Sequence, residues 1–156
     1  MRWTATILEE AQRNLIADRG DEDRIRRRFQ MLRLNFDDWE IAGYEDLIES
    51  MRCDEKDRHV LAAAVRGGAH QIVTFNVNDF PAESLTPYDL EVATPDAFLL
   101  NALHMYPRPT AEVLQAQASA LRRPSMTVET LLSGLARCGA PQFAHEAAVV
   151  MARDID

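Results

Sequence analysis

Asp54-Glu55-Lys56-Asp57-Arg58-His59-Val60-Leu61-Ala62-Ala63-Ala64 concentrates most of the reactive chemistry in this 156-residue chain. Asp57, Val60, Leu61 and Ala64 share one helical face, so Asp57 stands at a helix start on the side that packs against a sheet. A carboxylate there is costly unless it is paired, capped or bound to metal. Two roles satisfy it. Asp54 can be the N-cap while Asp57 gains from the helix dipole, or the carboxylates can hold a cation. A second segment is Ile72-Val73-Thr74-Phe75-Asn76-Val77-Asn78-Asp79-Phe80. Asn76 falls at the carboxyl end of a predicted strand, the edge where open α/β sheets bind ligands. Asn76 and Asp79 offer hard oxygen ligands of the kind magnesium and manganese prefer, and an Asx turn accounts for the same residues without a ligand. The third segment is Glu9-Glu10. Glu9 precedes Arg13 by four residues, the favourable order for a surface pair, whereas Glu10 lies at the margin of an apolar stripe and can reach a cleft or remain at the surface.

The elements that must position these residues follow from periodicity and caps. Ile7, Leu8, Ala11 and Leu15 form one stripe of a helix over about Thr6–Ile16. Gly20 breaks it and Asp21 caps a second, arginine-rich helix to about Leu34, with Ile25, Phe29, Leu32 and Phe36 as its seam. Trp39-Glu40-Ile41 reads as a short strand and Tyr44–Glu49 as a short helix. The central helix runs over Asp57–Arg66 and ends at Gly67-Gly68. Ile72–Phe75 reads as a buried strand, and Leu90–Val92 as another. Thr94-Pro95 starts a helix to about Tyr106. Pro107 and Pro109 mark a boundary. Beyond it come a helix carried by Val113, Leu114, Ala118 and Leu121, one carried by Val128, Leu131, Leu132 and Leu135 with Thr127 as cap, and one over Pro141–Ala152. Strands alternating with helices imply a mostly parallel α/β sheet, followed by a helical extension.

Ile7–Leu15, Asp54–Ala64, Gly67-Gly68-Ala69-His70 and Val73–Phe80, in this order, resemble the PIN-domain family, in its VapC-like toxin branch. The resemblance covers about residues 2–105. It implies a three-layer α/β fold with a short, mostly parallel sheet over residues 1–106 and a helical extension over 107–156. It also implies a ribonuclease using Mg2+ or Mn2+ to activate water and to stabilise charge on the scissile phosphate. Carried over, Glu10, Asp57 and Asp79 are the catalytic and metal-binding carboxylates, Asn76 a further ligand, and Asp54 a support for Asp57. RNA is the implied substrate, and an antitoxin protein and a second copy of the chain are the implied partners. The family opens on an apolar strand ending in a ligand aspartate, whereas this chain opens Met1-Arg2-Trp3-Thr4, matching the segment before the glutamate helix. The expectation is a core truncated at its N-terminus, with weak metal binding and weak or absent nuclease activity. The alternative is a catalytically inactive binding module that associates with an antitoxin, a strand-donating chain or itself.

Composition bounds the remainder. The formal net charge is −8, from 17 Lys+Arg and 25 Asp+Glu, so nucleic acid can be met only through a local basic patch or through metal ions. Arg24, Arg27 and Arg28 on neighbouring helical turns form such a patch, for RNA or an acidic partner, or else a solvated face paired with Asp21 and Glu22. Two cysteines are too few for a disulfide framework, and Cys53 and Cys138 read as small apolar fillers. Trp3 and Trp39 read as core anchors and His59 as a helix-surface histidine. With no apolar run long enough to span a bilayer, a soluble cytoplasmic protein is expected.

Overall fold

The computed structural model describes residues 1–120 and 126–153. The fold is mixed α/β and mostly helical, with one short parallel pair of strands. The chain forms two compact units, Met1–Ile72 with Asn78–Glu91, and Val73–Val77 with Val92–Asp156.

The first unit opens with Thr4, which is fully buried and accepts the Ile7 N–H at 3.0 Å, capping α1 (Ala5–Arg19). Asp21 caps α2 (Glu22–Asn35) by accepting the Arg24 N–H. Leu8 packs with Ile25 and Phe29, and Trp3, Leu15, Ile16, Leu32 and Trp39 close round them. Trp3 stands edge-on to Phe36 at 5.5 Å, and the Arg33 guanidinium lies 5.6 Å over the Trp39 ring. Both tryptophans are thus half-buried anchors of this cluster. Trp39-Glu40-Ile41 does not form a full strand. Trp3 donates to Trp39 and accepts from Ile41 in a single parallel bridge, because its extended partner ends at once in the Thr4 cap. Tyr44–Glu49 is a 3-10 turn, Glu45–Ser50, rather than an α-helix; no side chain caps it.

The central helix is shorter than the spacing predicts. Asp54 caps a 3-10 turn over Glu55–Asp57, its Oδ1 accepting the Lys56 N–H at 3.1 Å, and α3 follows over Arg58–Arg66. Leu61, Ala62, Ala63 and Ala64 are all buried, so three small side chains let neighbours approach α3 closely. β1 (Gln71–Val73) runs into the second unit, and a one-turn helix α4 (Ala82–Leu85) precedes β2 (Glu91–Ala93).

In the second unit Thr94 caps α5 (Pro95–Met105), followed by α6 (Pro107–Ala120), α7 (Val128–Arg137) capped by Thr127, and α8 (Pro141–Arg153). Leu103, Leu114, Leu131, Leu132, Phe143 and Ala147 belong to its core. Asp96 of α5 accepts the Phe143 N–H at 2.9 Å and the Gln142 N–H at 3.3 Å, supplying from another helix the cap that α8 needs. The apolar stripe of α6 is Ala111, Leu114 and Ala118; Val113 is exposed, being displaced from that i, i+3, i+7 row. Leu121 lies outside the described residues. The strand expected over Ile72–Phe75 ends at Val73. Thr74 Oγ1 accepts the Asn76 N–H at 3.1 Å and turns the chain, leaving Phe75 63% exposed. The Phe75 ring rests on Gly139, where an added Cβ would meet it at 2.6 Å.

Candidate active site

The site grows from the turn before α3. The Asp57 N–H donates to the Asp54 carbonyl at 3.0 Å, and the Asp54 N–H donates to the Asp79 carbonyl at 3.3 Å. This main-chain link brings the 3-10 turn Val77–Asp79 to the head of α3. Two acidic side chains distant in sequence thereby become neighbours. Lys56 Nζ lies 3.4 Å from Asp79 Oδ2 and 4.0 Å from Asp57 Oδ2.

The Asp57 side chain is only 21% exposed, and its Oδ2 is buried with no hydrogen-bond partner. Burial, and next the charge of Asp79, push the Asp57 carboxyl above its ordinary pKa, while Lys56 acts in the opposite sense. Lys56 is raised in turn by the charges of Asp54 and Asp79. Burial and the charge of Asp57 raise the Cys53 thiol. Cys53 is half-buried, whereas Cys138 is exposed at the α7–α8 turn and fills no core space.

Glu10, on α1, meets a different residue. Its Oε2 is 3.4 Å from His59 Nε2, and that histidine side chain is only 17% exposed, not at the helix surface. Its Nε2 is buried and makes no hydrogen bond of good geometry; Arg58 Nε is in the same condition. Asp57, Arg58 and His59 therefore each carry a buried polar atom without a hydrogen bond. Such atoms cost stability and mark places where a group outside the chain could satisfy them.

The remaining candidates lie elsewhere. Asp54 caps the turn and hydrogen-bonds through its main chain to Asp79. Asn76 is exposed in the second unit, held by Thr74. Arg24, Arg27 and Arg28 are exposed on α2; among the described residues no ion pair joins them to Asp21 or Glu22, and Glu22 pairs instead with Arg26. Among the described residues Glu9 and Arg13 form no ion pair. Sequence reasoning missed Lys56 and the facing of Glu10 by His59. The signal for Lys56 was present: it is the chain's only lysine, set among Asp54, Glu55 and Asp57.

Asp57 and Asp79, with one buried oxygen that makes no hydrogen bond, form a pair of hard oxygen donors of the kind a divalent cation suits. The set holds two carboxylates. Among the described residues no three or more His, Cys, Asp or Glu side chains gather as a metal site.

Comparison with known proteins gives two matches. Residues 95–149 match the family model of the VapC50 C-terminal domain. Over 105 residues the chain is 45% identical to the protein named "Putative ribonuclease VapC50" of Mycobacterium tuberculosis, a match covering 67% of this chain and 62% of that protein. The chain thus spans under two thirds of the length of the curated relative it matches. No solved structure matches it. Among the described residues no helix is long and apolar enough to cross a membrane. Both matches make the chain similar to VapC50 proteins.

Proposed function

We propose that the chain is a toxin ribonuclease of the VapC-like type that hydrolyses RNA phosphodiester bonds at the head of α3, with Mg2+ or Mn2+ as cofactor. The observation that carries this reading is the Asp57–Asp79 pair with its partnerless buried oxygen, in a chain 45% identical to a protein named a ribonuclease. Asp57 and Asp79 would hold the ion; Glu10, the third carboxylate that the family resemblance implies, faces His59. When bound, the ion supplies an activated water and neutralises charge on the scissile phosphate. Asp54 keeps the two turns in register through its main-chain bond to Asp79. Arg24, Arg27 and Arg28 offer exposed basic charge to an RNA backbone or an acidic partner. Two gathered carboxylates make ion binding weak. In this reading the protein acts in the cytoplasm, pairs with an antitoxin protein and self-associates, with the PIN-like part over residues 1–106 and the helical extension over 107–156.

One observation favours a second reading, a catalytically inactive binding module: Glu10 faces His59, and no third donor joins Asp57 and Asp79 among the described residues. A ribonuclease assay with Mn2+ separates the two. The enzyme reading expects cleavage by the wild-type chain and a loss of roughly a hundredfold or more in Asp57→Asn and in Asp79→Asn. Equal, background-level cleavage by all three folded proteins supports the binding module.

A further inference from the structure

Lys56 occupies an unusual place for a surface lysine. Its Nζ lies within 4.0 Å of two carboxylates at once, 3.4 Å from Asp79 Oδ2 and 4.0 Å from Asp57 Oδ2. The carboxylates come from segments more than twenty residues apart, joined by the Asp54–Asp79 main-chain bond. Both are largely buried, with side chains 21% and 22% exposed, whereas the lysine side chain is 66% exposed. Two neighbouring carboxylates, taken mostly out of water, repel each other and need positive charge between them. The lysine backbone is fixed there, since its N–H donates to Asp54 Oδ1 at 3.1 Å. At 4.0 Å its ammonium leaves Asp57 Oδ2 without a hydrogen bond. One carboxylate is thus contacted, and the other is only partly neutralised.

We propose that Lys56 is a tethered cation that holds the Asp57–Asp79 pair together, and that a divalent ion entering between these carboxylates must displace it. Lys56 is a positioning residue, and its role toward the ion rests on the functional reading above. An ordinary exposed ion pair contributes little to stability and would leave ion affinity untouched. A tethered cation makes two distinct demands. Without metal it keeps two like charges together. With metal present it competes, because a monovalent and a divalent cation cannot occupy one gap.

The test compares the wild-type chain, Lys56→Met and Lys56→Arg by calorimetric titration with MnCl2, and by thermal unfolding without metal. Lys56→Met is expected to bind Mn2+ about five- to tenfold more tightly, the effect of removing one nearby positive charge in a water-exposed setting. Lys56→Arg, which keeps the charge, is expected to resemble the wild type. Without metal, Lys56→Met is expected to unfold a few degrees lower, and the drop is expected to disappear in an Asp79→Asn background. Equal or weaker Mn2+ binding by Lys56→Met overturns the proposal. Absence of Mn2+ binding in every form overturns the metal-dependent reading of the site instead. The metal-free unfolding then decides the lysine: a drop that needs Asp79 upholds the tether, and no drop overturns it.

Discussion

Asp57 is where charge, burial and chemistry meet, and its cost can be measured. Burial and Asp79 raise its pKa in the folded chain. Between the ordinary aspartate range, about pH 3.9, and the raised value, the folded protein binds more protons than the unfolded one. Stability must therefore fall as pH rises through that window, and the penalty stays in place above it. Asp57→Asn keeps the shape and removes the charge. It is expected to unfold at a higher temperature than the wild type at pH 7, with the gain vanishing below about pH 4. Unfolding followed across pH in metal-free buffer checks this; a destabilised variant at pH 7 would contradict it. At this scale helical spacing drew attention to Asp57, although the residue lies in the 3-10 turn before α3 rather than in the helix. The neighbours of Glu10 were not legible. Whether it faces Asp57 or His59 depends on how α1 packs on α3, a tertiary contact that no local pattern encodes.

Caps and turns decide the elements. Asp21, Thr94 and Thr127 cap their helices as their residue types imply, because a cap is a local hydrogen bond spanning three residues. The cap of α8 was hidden, since its acceptor, Asp96, stands more than forty residues away on α5. Asp96→Ala leaves those N–H groups without their acceptor and is expected to destabilise the protein by about 1–2 kcal/mol, read by denaturant unfolding. Asp96→Asn should recover part of the loss. The α7–α8 turn offers a second check. Gly139 has φ +97°, a conformation that suits glycine, and the Phe75 ring sits where its Cβ would be. Gly139→Ala is expected to cost about 1–3 kcal/mol, and Phe75→Ala in the same chain should relieve only the part due to the clash. Phe75 also shows why strand ends are hard to read. Its apolar, β-favouring type extended the expected strand, yet the Thr74–Asn76 hydrogen bond ended it.

For the whole molecule, alternation of helices and short apolar runs was enough to read a mixed α/β fold, and the motif order pointed to VapC-like proteins, among which the comparisons find similarity to VapC50. What remained hidden was convergence. Asp57 and Asp79 become neighbours through one main-chain hydrogen bond between distant turns, and Lys56 is drawn between them. In the proposed function this pair would be the place where a divalent ion and an RNA phosphate meet. Its most direct test is calorimetric titration of Mn2+ into the wild-type chain, Asp57→Asn and Asp79→Asn at pH 7. Weak binding by the wild type, reduced at least about tenfold in each variant, is the predicted result. Wild-type affinity retained in both variants would contradict the account.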